Sequence, residues 1–185
     1  MNDKGFTLIE LLAVITIMGI LMLVAIPNVT RTIENSRRDT FADIAHEYIN
    51  GVRSNVLADN VECQTSAGSD KYAVASALNE GSYYYEISTD ATSEHYNATQ
   101  DLMESIGKSP FGNAELNGYV RFDKTAAGSG DGVKIITSYQ MALVDTGTHG
   151  FDLQGESNIK RSTVKTTGAT ITPLGSDALK CRMTS

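Results

Sequence analysis

The sequence predicts an α+β fold: one long, kinked N-terminal helix packed on an antiparallel sheet of about four strands. The N-terminal part, Phe6–Ile26, is a 21-residue apolar run carrying one charge, Glu10. Helical periodicity resumes after Pro27 and continues to about Leu57. From Gly118 onward, β-rich segments alternate with turns rich in Gly and polar residues.

The apolar run, FTLIELLAVITIMGILMLVAI, is long enough as a helix to reach roughly 30 Å, the thickness of a bilayer's hydrocarbon core. A buried core helix is the bland alternative. A helix apolar on every side belongs in lipid rather than in a modest domain. The preceding MNDKG does not resemble a secretory signal, whose small-residue cleavage site follows its apolar core. Here the small residue, Gly5, comes before the run. Glu10 lies one turn into the segment, where a charge is costly without a partner. Cutting after Gly5 would supply one: the new α-amino group on Phe6 of a neighbouring, axially shifted helix.

Lys4-Gly5-Phe6-Thr7-Leu8-Ile9-Glu10 resembles the processing site of type IV pilins and pseudopilins. The match covers about residues 4–30. The resemblance implies that a membrane-bound prepilin peptidase cuts between Gly5 and Phe6 and methylates the new N-terminal Phe6. It also implies that Glu10 is the carboxylate guiding assembly, and that the whole adopts the pilin fold. Gly19 and Pro27 stand where family members commonly have Gly and Pro. They bracket the stretch expected to lose helix in a packed filament. The implied partners are further copies of the chain, the peptidase, the membrane assembly machinery and, before assembly, lipid. The implied places are a single-pass cytoplasmic membrane for the precursor and the cell surface for the fibre.

Proline removes an intrahelical hydrogen bond, so a kink is expected near Pro27. Beyond it, Val29, Ile33, Phe41, Ile44, Ala45, Tyr48, Ile49, Val52 and Val56 recur at spacings of three and four, interleaved with charges. The expected organisation is a leader over 1–5, a membrane or filament-core half-helix over 6–28, and a globular domain over 29–185. Within that domain, 29–57 is the amphipathic half-helix, 58–117 a connecting region and 118–185 the sheet and C-terminal region.

In the connecting region, 59–69 reads as a loop. Ser69 is placed to cap a short helix over 70–79. Tyr83–Ile87 reads as a strand with alternate rings in the core or on a neighbour. Residues 90–97 read as polar loop, and Thr99 as the cap of a second short helix over 100–106. In the sheet region, Tyr119–Phe122, Val133–Val144 and Phe151–Leu153 read as strands. Asn158–Thr166 reads as an edge strand, with Lys160, Arg161 and Lys165 discouraging further pairing.

The chain has 185 residues, 15 Lys and Arg against 22 Asp and Glu, and a net charge of −7. That balance argues against direct nucleic-acid binding, which needs a basic face. Arg31, Arg37 and Arg38 form the nearest basic cluster, suited to headgroups, a neighbouring subunit or plain solvation. The two cysteines, Cys63 and Cys181, are expected to pair outside the cytoplasm, where disulfides persist. Related pilins often secure their C-terminal region with a disulfide, although their pairing usually starts later in the chain than Cys63.

No constellation supports catalysis, a cofactor or a metal. His46, His95 and His149 lack metal-ligand spacing, and the cysteines form no CxxC pair. Gly128–Gly132 lacks the Lys-Ser/Thr of a phosphate loop and leads into a strand. Asp123 and Asp131 flank that turn, but their spacing fits no calcium loop. The functional expectation is a structural filament subunit, a major pilin, serving adhesion, motility or DNA uptake. A minor pilin or type II secretion pseudopilin competes within the class. A membrane-anchored enzyme or receptor is the reading from outside it.

Overall fold

The structure is a computed structural model. It describes residues 7–93, 99–100, 102, 109–110, 115–126, 134–147, 150–166, 171 and 177–184. The chain divides into two compact units, Met1–Arg37 and Arg38–Ser185. One helix, α1 (Leu8–Leu57), runs through both and continues unbroken past Pro27.

In the first unit the large apolar side chains from Leu8 to Ile33 are exposed. Polar residues of this stretch are satisfied within the helix. Thr16 Oγ1 donates to Ala13 O, Asn28 Nδ2 to Val24 O, Thr30 Oγ1 to Ile26 O and Thr32 Oγ1 to Asn28 O. Such back-bonding lets polar groups flank a proline inside an apolar helix without an open hydrogen bond.

In the second unit α1 turns amphipathic. Phe41, Ala45, Tyr48, Val52 and Val56 repeat at helical spacing and are buried. They share one core cluster with Tyr83, Tyr85, Val120, Phe122 and Leu153 of the sheet. Phe41 meets Phe151 edge-on at 5.6 Å between centroids, and Tyr83 stacks on Phe122 at 5.6 Å. Both geometries favour aromatic pairs. The helix ends where the backbone hydrogen bonds of a Schellman motif form: Asn60 N donates to Asn55 O and Asp59 N to Val56 O. Asp59 supplies the left-handed residue, with φ of 56°.

The sheet has seven strands among the described residues, not about four, and it is mixed. They are β1 (Val61–Gln64), β2 (Tyr72–Val74), β3 (Gly81–Ser88), β4 (Leu116–Ala126), β5 (Lys134–Asp145), β6 (Asp152–Glu156) and β7 (Leu179–Met183). Their order is β2-β1-β7-β3-β4-β5-β6. Strands β4 to β6 form the antiparallel meander expected from residue 118 onward, and β3, from the region read as connecting, extends it antiparallel to β4. The C-terminal β7 enters the middle of the sheet, antiparallel to β1 and parallel to β3. In the centre of the meander, Gly118 of β4 lies so close to β5 that a Cβ there would meet the carbonyl of Ala142.

Several local expectations are corrected. The loop over 59–69 contains β1, and 70–79 holds β2 and a 3-10 turn, Ala75–Ala77, in place of a helix. Ser69 Oγ accepts from Lys71 N, two residues on, so it shapes a hairpin turn instead of a helix cap. Asn158–Thr166 is no strand. Thr163 N donates to Lys160 O to close a turn, and only Lys165 bridges the sheet edge, at Asp152. The Gly128–Gly132 turn and most of the helix expected over 100–106 lie outside the described residues. Thr99 is buried, and its Oγ1 accepts from Ser88 N.

Candidate functional site

Gly5 and Phe6, the expected processing pair, lie outside the described residues. Glu10 is exposed in the first turn of α1. Its Oε2 accepts from Thr7 N at 2.9 Å and Thr7 Oγ1 at 2.8 Å. Glu10 N in turn donates to Thr7 Oγ1 at 3.4 Å. This reciprocal arrangement is a capping box, with Thr7 at the N-cap and Glu10 three residues on. It satisfies amide donors that the start of a helix otherwise leaves open. The sequence signal was the Thr-x-x-Glu spacing at 7–10, which a reading centred on Glu10's charge passed over. Within one chain, the carboxylate is therefore already held against the helix's own N-terminus. Any contact with a neighbour must be made in addition to that box or in exchange for it.

Gly19 sits in α1 with open space where a Cβ would be. Pro27 lies within the same continuous helix. Leu8–Leu57 contains, among the described residues, the one segment long and apolar enough to cross a membrane.

Cys63 and Cys181 face each other directly across β1 and β7 and are joined by a disulfide. Both are buried. Around them Arg182 Nε donates to Glu62 at 2.7 Å, and its guanidinium lies 3.8 Å from the centroid of the Tyr72 ring. Lys180 pairs with Glu86 at 2.8 Å.

The Asp123 carboxylate is occupied by protein donors: Ser82 Oγ at 2.7 Å, Ser138 Oγ at 2.8 Å and Arg121 Nε at 3.1 Å. Burial pushes this carboxyl up, but those three donors outweigh it and hold it below the usual carboxylate range. Asp131, His95 and His149 lie outside the described residues. His46 is exposed, with Nε2 3.1 Å from Ile159 O. Arg38 donates to Val164 O at 3.0 Å and lies over the Phe151 ring, so it belongs to the fold of the second unit. Among the described residues no group of three His, Cys, Asp or Glu side chains is placed to hold a metal ion.

Residues 1–26 match the family model described as the prokaryotic N-terminal methylation motif. Over that N-terminal segment the chain is type IV pilin-like. Two Bacillus proteins are similar to it over a short stretch: a ComG operon protein 3 homolog of Bacillus licheniformis and the competence protein ComGC of Bacillus subtilis. Each is 61% identical over 31 residues, which is 17% of this chain and 32% of the relative. The chain thus spans about a third of the length of the curated relatives it matches. No solved structure matches it. The methylation motif and the apolar N-terminal helix fit a membrane-anchored precursor.

Proposed function

We propose that this pilin-like chain is a structural, non-enzymatic subunit of an extracellular type IV pilus, acting as its major pilin. The observation that carries the reading is the methylation motif over 1–26 with Glu10 as the lone charge of the apolar run. Prepilin peptidase would cleave the precursor after Gly5 and methylate Phe6. Lipid contacts of the apolar half-helix would then be exchanged for contacts with other copies in the fibre core. Both surroundings are apolar, so the exchange costs little. A membrane tether for an enzyme or receptor would need neither Glu10 nor a Gly5–Phe6 junction.

In this reading Glu10 meets the terminal amine of a neighbour's Phe6, neutralising both charges and setting axial register. Gly19 and Pro27 mark where α1 gives up helical hydrogen bonds as subunits pack. The name of the Bacillus subtilis relative, a competence protein, favours DNA uptake among the roles of such a fibre. A minor pilin or a type II secretion pseudopilin is the competing reading within the class. Abundance of the chain in sheared fibres separates a major from a minor subunit.

Mass spectrometry of the mature protein tests the class. A methylated Phe6 at the N-terminus is expected, and an intact Met1 would overturn it. Glu10→Ala is expected to leave the processed chain in the membrane and to reduce fibres at least tenfold. Wild-type fibre yield from that variant would remove the register role.

A further inference from the structure

In Arg38–Ser185 the large apolar side chains are buried almost throughout. Among the described residues two stand exposed, Leu57 at 76% and Ile135 at 47%. Leu57 ends α1 and Ile135 is the second residue of β5, yet both line the same cavity, of about 720 Å³. Arg53, Lys124, Lys134 and Tyr139 line it with them.

The three cations meet neutral partners. Lys124 is buried, and its Nζ donates to Ala75 O at 2.7 Å and Ser76 O at 2.9 Å. Lys134 Nζ donates to Asn79 Oδ1 at 3.0 Å. The Arg53 guanidinium lies 5.2 Å from the centroid of the Tyr139 ring. Asp59 is the single carboxylate of the lining, and its Oδ1 already accepts from Ser76 N at 2.8 Å. Burial, and after it the neighbouring Lys134, hold the Lys124 ammonium below the ordinary lysine value, against a smaller opposing pull from Asp59. In a chain of net charge −7, the two exposed large apolar residues described in Arg38–Ser185 thus share one lining with three cations and a single carboxylate, Asp59.

We propose that this cavity is a docking site for a second copy of the chain, taking from it an apolar side chain flanked by a carboxylate. The inference rests on the filament reading and adds a contact to it. An acidic surface on the second copy supplies the complementary charge. Two such cavities cannot face each other, because Arg53, Lys124 and Lys134 would meet their own likenesses. A cavity on one copy therefore meets a different surface on the next, and in the filament reading that head-to-tail contact repeats along an open helical polymer.

The test mixes unlabelled and nitrogen-15-labelled full-length copies in assembled fibres and applies a zero-length carbodiimide cross-linker. Mixed-isotope peptides joining Lys134 to an Asp or Glu are expected. Fibres of the double variant Leu57→Ser, Lys134→Glu are expected to fall about tenfold in yield, with N-terminal processing unchanged. Wild-type fibres in which Lys134 forms no mixed-isotope cross-link overturn the docking site while leaving the filament reading intact. Cross-links from Lys134 to a different protein alone do the same. A wild-type chain that is processed but makes no fibre overturns both.

Discussion

Thr7 and Glu10 show how much one spacing can hold. The same carboxylate that would set register between subunits also closes the first turn of its own helix. Asp123 is the comparable residue in the sheet, where it gathers Ser82 from β3, Ser138 from β5 and Arg121 from its own strand. Hydrogen bonds to a charged group contribute more than neutral ones. Asp123→Ala is expected to cost about 2 kcal/mol, read from the urea midpoint. The pH sign follows from the lowered carboxyl. Its contribution is present above the unfolded carboxylate value near 4 and is lost as pH falls through the lower folded value. The variant should therefore lose its deficit relative to wild type in acid. A deficit unchanged from pH 7 to pH 2 would contradict this account.

At the level of elements, β7 connects the two parts of the sheet. Among the described residues β1 pairs only with β2 and β7, so the β1–β2 hairpin reaches β3 through the five residues of β7. The disulfide fixes that join, with a sequence separation of 118 residues. Closing a loop of that order removes much of the unfolded chain's freedom. Cys181→Ser is expected to lower stability by about 2–5 kcal/mol. Hydrogen exchange should accelerate first at β1, β2 and β7, with the β4–β5 pair retaining protection. Uniform acceleration across the sheet would count against β7 as the join. Sequence reading passed over these strands for a physical reason. β1 and β2 have four and three residues, too few for a period of two to show. β7, LKCRM, alternates apolar and charged residues, but over only five of them, and its place is fixed by partners on both sides rather than by its own preference. The long helix and β3 to β5 were legible because their periodicity spans many residues.

Across the whole molecule, the tyrosines link packing to pH. Burial pushes the phenols of Tyr48, Tyr83, Tyr84, Tyr119 and Tyr139 above their ordinary value, with smaller effects from nearby charges. A raised pKa in the folded state contributes stability below the unfolded value, about 10, and that contribution is lost as pH rises through the folded value. The urea midpoint should therefore hold near pH 8 and fall steeply above about pH 10. A Tyr48→Phe variant should show a shallower decline, and a slope equal to wild type would exclude Tyr48 from the effect.

The sequence by itself determined the apolar N-terminal helix, its methylation motif, the amphipathic continuation to Leu57 and the α+β class. These depend on local periodicity and on residues close together in the chain. Only the tertiary structure decided the seven-strand order, the central place of the C-terminal strand and the gathering of Leu57, Ile135, Lys124 and Lys134 around one cavity. Each of these depends on residues distant in sequence meeting across a sheet or a helix end. Their free energy comes from pairing and burial, which no local pattern records.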